Sequence, residues 1–247
     1  MATMDWPQRL WVVRHGQSAG NVARDAAEAN GSVVIELATR DADVSLSGLG
    51  QQQARALGDW FARLPARRRP NVLYASPFVR ARQTSEILVQ RFNRSLKPCI
   101  DERLREKEFG VLDRFTRAGI RERFPELAEQ LTSVGKFYFR PPGGESWCDV
   151  ILRLRSLVEM LRRDDSSKRV LIISHQVIVN CIRYLIEHLD ERGILEIDAK
   201  ADVPNCGVVE YARGRSGLQL VRANFIQPLR ESSAPVTRGS DTPGGPK

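Results

Sequence analysis

Four side chains that can carry a positive charge follow short apolar runs in this 247-residue sequence, and each run predicts a buried strand. These side chains are Arg14, His15, Arg80 and His175. Ligands of a parallel sheet bind at the carboxyl ends of its strands, so we expect the four groups to meet at one edge. Together they would repel one another unless they enclosed an anion. The pattern therefore predicts a pocket for a dianion such as a phosphoryl group.

A histidine in such a pocket could react as well as bind. Nearby arginines disfavour the protonated imidazole, and a neutral imidazole nitrogen can attack phosphorus. The other cationic groups would stabilise the charge that phosphoryl transfer places on the equatorial oxygens. The leaving oxygen also needs a proton, and Glu106 and Glu108 are both candidates to supply it. Gln17 and Asn21 add neutral donors nearby, and Gly16 allows the backbone to approach a ligand closely.

The elements that must position these residues follow one plan of buried strand, polar turn and amphipathic helix. The predicted strands are residues 10–13, 72–75 and 170–173. Ser76 and Pro77 have the residue types of a helix N-cap and first helical position, so they predict a helix that starts at Pro77. Apolar strands that alternate with helices are typical of a parallel sheet covered on both faces. We therefore predict an α/β fold, a three-layer α/β/α sandwich with a mostly parallel central sheet.

The domain organisation is predicted from where this alternation breaks. Residues 1–227 should form a single α/β domain that contains both site histidines, since a chain of this length can bury one sizeable core. Residues 101–144 interrupt the rhythm, and we predict that they form a helical cap insertion. Residues 207–223 have the pattern of a hairpin. Residues 228–247 are rich in Pro, Ser and Gly and are predicted to be a disordered tail.

Composition excludes several classes of protein. The 38 Lys and Arg residues exceed the 30 Asp and Glu residues by eight, but the positive charges are scattered, so we expect no nucleic-acid partner. The four cysteines are far apart and have no histidine at metal-ligand spacing, which predicts no metal site. No apolar run approaches the roughly 20 residues of a membrane span, and the first residues lack the pattern of a signal peptide. We expect a cytoplasmic protein without a membrane partner; the pattern does not indicate its oligomeric state.

Five sequence elements together resemble the histidine phosphatase superfamily, in its phosphoglycerate mutase-like branch. The elements are Arg14-His15-Gly16-Gln17-Ser18 with Asn21, the stretch from Ser76 to Thr84, Leu104-Arg105-Glu106 with Phe109-Gly110, Gly143-Gly144-Glu145-Ser146, and Ser174-His175. They occur in the order that the family has, and five matches in order are far more specific than any one of them.

The resemblance implies a metal-independent phosphomonoester hydrolase that needs no organic cofactor and acts on a small phosphorylated metabolite. It implies that His15 is the nucleophile that forms a phosphohistidine. Glu106 is implied to be the acid and then the base that activates water. Arg14, Arg80 and His175 are implied to form the phosphate pocket.

Three further residues are predicted to bind substrate, and two of them depart from the commonest family pattern. The three are Gln17, Asn21 and Gln176. Gln17 stands where many members have Glu, and Gln176 stands where many have Gly, as in the fructose-2,6-bisphosphatase branch. Two other functions therefore stay open: a phosphoglycerate mutase or bisphosphate-dependent phosphotransferase, and an inactive protein that binds a phospholigand or serves as a scaffold.

Overall fold

The computed structural model describes residues 6–239, which build a six-stranded mixed sheet. The strands are β1 (Arg9–Arg14), β2 (Val72–Ala75), β3 (Cys99–Ile100), β4 (Arg169–Ser174), β5 (Val208–Arg213) and β6 (Leu218–Phe225). Their order across the sheet is β3-β2-β4-β1-β5-β6. The first four run parallel, and β5 and β6 form an antiparallel hairpin on the β1 side. The prediction of a mostly parallel central sheet is confirmed.

Helices cover both faces of this sheet. They are α1 (Ala19–Ala29), α2 (Gly48–Arg63), α3 (Val79–Phe92), α4 (Arg117–Arg123), α5 (Pro125–Val134), α6 (Trp147–Asp164), α7 (Gln176–Ile186), α8 (Glu191–Lys200) and α9 (Gln227–Glu231). Among residues 6–239, none of them is both long enough and apolar enough to span a bilayer.

Two apolar cores, one on each face of the sheet, hold the three layers together. Side chains alternate between faces along a strand, so Leu10 and Val12 of β1 join the core beneath α6 and α7. Trp11 and Val13 of the same strand join the opposite core beneath α2 and α3. All four are at most 1% exposed, which explains why β1 reads as an unbroken apolar run. The three-layer α/β/α fold is therefore confirmed.

The register of the parallel strands aligns their carboxyl ends. Arg14 of β1 pairs with Ser174 of β4, and Ala75 of β2 pairs with Ile173. The residues that follow these strands consequently start side by side at one edge of the sheet. This edge is where a ligand of an open parallel sheet binds.

Helix α3 begins two residues later than the sequence predicts. Ser76 does not cap it; the backbone N–H of Ser76 donates to the Ile173 carbonyl at 3.0 Å and so prolongs the pairing of β2 with β4. Phe78 is the residue before the helix, and it provides no side-chain cap. The Ser76 hydroxyl still accepts from the Phe78 backbone N–H at 3.3 Å, before the first helical residue, and it faces the sheet edge.

Residues 101–144 contain α4 and α5 and a small apolar cluster of their own. The cluster is centred on Leu112, Ile120 and Phe139, all at most 5% exposed. The segment begins directly after β3, and the Ser174 hydroxyl at the end of β4 donates to the Leu104 carbonyl at 2.8 Å. Its first residues are therefore fixed to the edge of the sheet where the predicted site lies.

Residues 228–239 differ from the disorder that we predict for the tail. Leu229 in α9 is fully buried, and Ala234 and Val236 pack against the same core as α2 and α3. We call residues 232–239 the C-terminal strap. Ala234 and Val236 of the strap are partly buried against that core, which a count of Pro, Ser and Gly does not reveal. The remainder of the predicted tail, residues 240–247, lies outside the described residues.

Helix α2 touches the loop after β1 so closely that only glycine fits at the contact. A Cβ atom at Gly50 would lie 2.0 Å from the backbone carbonyl oxygen of Gln17, and backbone cannot move aside as a flexible side chain can. We expect Gly50→Ala to lower the free energy of unfolding in urea by about 2 kcal/mol or more, because overpacking displaces the loop. Gly48→Ala in the same helix is the matched control, since no atom lies within 4 Å of its added Cβ. Equal stability of the two variants would contradict the prediction.

Candidate active site

The two histidines predicted for the site lie face to edge at the carboxyl end of the sheet. Their ring centroids are 5.1 Å apart, and both residues are fully buried. His15 follows β1, and its backbone N–H donates to the Ser174 carbonyl at 2.9 Å. His175 follows β4 and precedes α7. Neighbouring parallel strands thus place side by side two imidazoles that are 160 positions apart in the sequence.

The hydrogen bonds of His15 indicate which ring nitrogen has a lone pair. Nδ1 lies 2.7 Å from the Gly16 carbonyl oxygen, which can only accept, so Nδ1 carries the proton. Nε2 accepts a hydrogen bond from Arg80 Nε at 3.2 Å. This tautomer is assigned from the hydrogen-bond partners. Nε2 is therefore the nitrogen available to bond with phosphorus.

Arg80 is fixed in the site by Asp41. Its two terminal nitrogens donate to the Asp41 backbone carbonyl at 2.6 Å and to the Asp41 carboxylate at 3.0 Å. The guanidinium also lies 4.9 Å from the centre of the Phe78 ring. Arg80 is only 3% exposed, so these contacts hold it beside His15. Asp41 cannot be predicted as a site residue from the sequence, because an acidic residue in a polar loop gives no local signal of a partner 39 positions away.

His175 is oriented by Ser76 and Phe78. Its Nε2 lies 2.7 Å from the Ser76 hydroxyl, and its ring is 5.0 Å from that of Phe78. The sequence predicts that Ser76 caps a helix, whereas in the structure its hydroxyl contacts a histidine of the site. The one sequence feature that could have indicated this role is the position of Ser76 in the family-like motif from Ser76 to Thr84.

Arg14 is fully buried, and the C-terminal strap reaches it. One terminal nitrogen donates to the Val203 carbonyl at 2.6 Å, and the other donates to the Gly239 carbonyl at 2.5 Å. The strap is held along the way by Gln53, whose amide donates to Thr237 and to the Pro235 carbonyl, both at 2.9 Å. The strap therefore closes one side of the group formed by Arg14, His15, Arg80 and His175, which we call the phosphate pocket.

Asn21, one of the predicted substrate-binding residues, lies next to this pocket. It occupies the first turn of α1, where its side-chain oxygen accepts from the Ser18 backbone N–H at 3.0 Å in a capping box. Asn21 and Arg80 also line one small cavity together. The structure thus brings Asn21 to the pocket, while its capping contacts show a second, local reason for an asparagine there.

Gln17 and Gln176, the other two, hydrogen-bond to neighbouring loops. The Gln17 side-chain oxygen accepts from the Ser47 hydroxyl at 2.8 Å, and the Gln176 amide donates to Asp202 at 2.8 Å. Both glutamines are at most 9% exposed. These contacts tie the start of α2 and the loop before β5 to the site, and a direct role in substrate binding stays a prediction.

Burial separates the two candidate proton donors. Glu106 is 1% exposed, and one carboxylate oxygen accepts from the Lys107 backbone N–H at 2.8 Å. The Glu108 side chain is 52% exposed. Partial burial, together with the charge of Glu145, still raises the pKa of Glu108 above its ordinary value. The enclosed position of Glu106 suits proton transfer to a substrate better than the open position of Glu108.

Arg153 of α6 fixes the loop that contains Glu106. It donates to the backbone carbonyls of Arg103, Arg105 and Glu106, the last two at 3.0 and 3.3 Å. It also binds both carboxylate oxygens of Glu145, at 2.9 and 3.0 Å. Burial alone would raise the pKa of Glu145, but the hydrogen bonds and charge of Arg153 outweigh it and hold that pKa below its ordinary value. Arg153 and Glu145 therefore act as one positioning unit.

We expect Arg153→Met to lower the free energy of unfolding in urea by about 2 kcal/mol, because the half-buried Glu145 charge then retains only Arg105 as an ion-pair partner and the loop carbonyls lose a charged donor. The turnover of any phosphate ester should also fall, by about tenfold, as the Glu106 loop loses its fixed position. Arg155→Met, on the exposed side of the same helix, is the matched control. An Arg153→Met protein as stable and active as this control would show that the contacts with the loop contribute little.

Within the part of the chain that the structure describes, no three His, Cys, Asp or Glu side chains are grouped as ligands of a metal ion. Whether the reaction needs a metal or organic cofactor is a question for experiment, and the expectation that it needs none stays a prediction.

The fold and the site together define an α/β protein with a cationic pocket, built around two facing histidines, at the carboxyl edge of its sheet. A family model described as the histidine phosphatase superfamily (branch 1) matches residues 10–226. The chain belongs to this superfamily, and the resemblance stated from the motifs is confirmed.

Individual relatives include phosphatases and a mutase. A 6-phosphofructo-2-kinase/fructose-2,6-bisphosphatase of Caenorhabditis elegans is 29% identical over 71% of this chain, which corresponds to 33% of that protein. A 2,3-bisphosphoglycerate-dependent phosphoglycerate mutase 2 of Gloeobacter violaceus is 25% identical over 93% of this chain and 98% of its own. The solved structure of a mycobacterial glucosyl-3-phosphoglycerate phosphatase has a TM-score of 0.67 at 25% identity, covering 88% of this chain and 98% of the other. The chain thus spans about a third of the nematode protein and nearly all of the other two.

Proposed function

We propose that this protein hydrolyses phosphomonoesters of small molecules through a phosphohistidine at His15. The observation that carries the proposal is the contact of Arg80 Nε with His15 Nε2, beside the His175 ring and next to the buried Arg14 that precedes His15 in the chain. An unprotonated imidazole nitrogen next to cationic groups of the kind that bind phosphoryl oxygens supports the proposal. Membership of a superfamily with phosphatase and mutase relatives supports a phosphatase-type enzyme.

In the first half of the proposed reaction, His15 Nε2 bonds to phosphorus while the bond from phosphorus to the ester oxygen breaks. Glu106, in its protonated form, gives its proton to that oxygen, and the alcohol leaves. Arg14, Arg80 and His175 hold the other phosphoryl oxygens as they gain charge. Arg80 is placed to exchange its hydrogen bond with His15 for one with the phosphoryl group.

In the second half, the Glu106 carboxylate takes a proton from a water molecule that attacks phosphorus. The bond between phosphorus and Nε2 breaks, inorganic phosphate leaves, and His15 and Glu106 return to their starting forms. The net reaction is the hydrolysis of one phosphate ester. A phosphoglycerate mutase aligns with 93% of this chain, which supports one alternative reaction. In that reaction the phosphohistidine passes its phosphoryl group to a second alcohol instead of to water.

The proposal is tested with chelator-treated protein and p-nitrophenyl phosphate. We expect release of inorganic phosphate. When the reaction is stopped at neutral or alkaline pH, we also expect to isolate an acid-labile phosphoprotein. Incubation with 3-phosphoglycerate separates the rivals, since isomerisation without net phosphate release would favour a mutase. A protein that neither releases phosphate nor becomes phosphorylated would instead favour the inactive phospholigand-binding function.

A further inference from the structure

A second cavity adjoins the phosphate pocket. It has a volume of about 330 Å³, within the range of small-molecule sites, and lies between the Asp41 loop and the start of the 101–144 segment. Phe78 and Asp41 line it, and both also contact Arg80. A molecule whose phosphoryl group lay against His15 and Arg80 would extend into this cavity, which we call the side cleft.

The charges of the side cleft are nearly all paired. Its charged lining residues are Arg40, Asp41, Lys107, Glu108, Asp113 and Arg114. Five of these six have an oppositely charged group within 4.0 Å, in the pairs Arg40 with Asp43, Asp41 with Arg80, Glu108 with Arg105, and Asp113 with Arg114. Lys107 is the exception among residues 6–239.

Lys107 is also the charged lining residue that the protein buries most. It is 8% exposed, and its ammonium lies 4.7 Å from the centre of the Phe109 ring, which lines the same cleft. An aromatic face attracts a cation but accepts no ordinary hydrogen bond, so the donors of the ammonium are left to water in the side cleft. Holding an ammonium in such surroundings costs free energy, and an anionic ligand would offset that cost.

Lys107 still carries most of its charge at pH 7, although its surroundings lower the pKa. Burial lowers its pKa to about 8, and Lys136 lowers it further, while the charges of Glu106 and Glu145 and the Cys181 thiol act in the opposite direction. Because Lys107 follows Glu106 directly in the chain, it lies on the side of the phosphate pocket where the leaving group must be.

We propose that Lys107 determines substrate specificity, by binding an acidic group that the substrate carries in addition to the phosphate ester. The inference rests on the proposed function and narrows its substrate class to phosphomonoesters with a second anionic group, a carboxylate or a second phosphate. Such a group would enter the side cleft, replace water at the Lys107 ammonium and neutralise its charge.

The test compares kcat/KM within two matched pairs of substrates. Glycerol 3-phosphate and 3-phosphoglycerate differ only in that a carboxylate replaces a hydroxymethyl group, and fructose 6-phosphate and fructose 1,6-bisphosphate differ by a phosphate. We expect the wild-type protein to prefer the acidic member of at least one pair, and that pair identifies the group. In Lys107→Met the preference should fall about tenfold to a hundredfold, and Lys107→Arg should retain most of it. Lys97→Met, which removes an exposed lysine, is the control.

The pH dependence of the wild-type preference is a second measurement that needs no variant. Lys107 loses its charge as the pH rises through about 8, so the preference should decline between pH 7 and pH 9. The pH dependence of His15 and Glu106 affects both members of a pair, so dividing by kcat/KM for the member without the second acidic group removes it. No preference in either pair, or the same preference in Lys107→Met as in Lys97→Met, would overturn the assignment. Absence of p-nitrophenyl phosphate hydrolysis by the wild-type protein would instead overturn the proposed function.

Discussion

His15→Asn is expected to lower kcat/KM for p-nitrophenyl phosphate by at least about 10⁴-fold and to abolish the acid-labile phosphoprotein. The loss should be this large because the variant has no nitrogen lone pair at the position of Nε2, where Arg80 donates at 3.2 Å. The measurements are steady-state hydrolysis and isolation of labelled protein after a quench at neutral or alkaline pH.

The third histidine of the sequence provides the matched control. His188 is exposed and has a positive φ of 53°, a conformation that asparagine tolerates well. His188→Asn should therefore keep both activity and labelling. Labelling that survives His15→Asn but disappears in His175→Asn would assign the nucleophile to the other ring of the pair.

Glu106→Gln is expected to affect substrates according to their leaving groups. Turnover of an alkyl phosphate should fall about 10³-fold, because an alkoxide leaves poorly without a proton. Turnover of p-nitrophenyl phosphate should fall much less, since nitrophenolate leaves readily. Glutamine keeps the shape of the side chain and can still accept from the Lys107 N–H, so the loop should stay in place.

Glu108→Gln distinguishes the two carboxylates that the sequence leaves as alternatives. Its side chain is more than half exposed, and we expect only a small and uniform effect on both classes of substrate. The opposite result, in which Glu108→Gln discriminates between leaving groups and Glu106→Gln does not, would transfer the role of proton donor to Glu108.

Local patterns in the sequence predict that His15, Arg80 and His175 lie together, as the structure shows. An apolar run that ends in Arg14 and His15, and another that ends before His175, predict strands, and parallel pairing then brings the ends of those strands together. The two-sided burial of β1 and β4 is visible as uninterrupted apolar sequence. Both the fold class and the meeting of these residues follow from such short segments.

The partners of these residues come from loops whose contacts are distant in sequence. Asp41 reaches Arg80 from a polar loop, and Ser76 contacts His175 across 99 positions. Neither contact has a period or a spacing that a single sequence can show. The strap shows a different limit: its average composition predicts disorder, whereas Leu229 just before it is buried and the Gln53 amide binds two of its residues.

The position of Gly239 has a practical consequence for how this protein is labelled or immobilised. A purification tag or fluorescent fusion that replaced residues 240–247 would begin one hydrogen bond away from Arg14, beside the reaction centre. Trp6 lies before β1, and the six residues of that strand put roughly 20 Å between it and the reacting groups. Fusions and surface attachment are best made through the amino-terminal end.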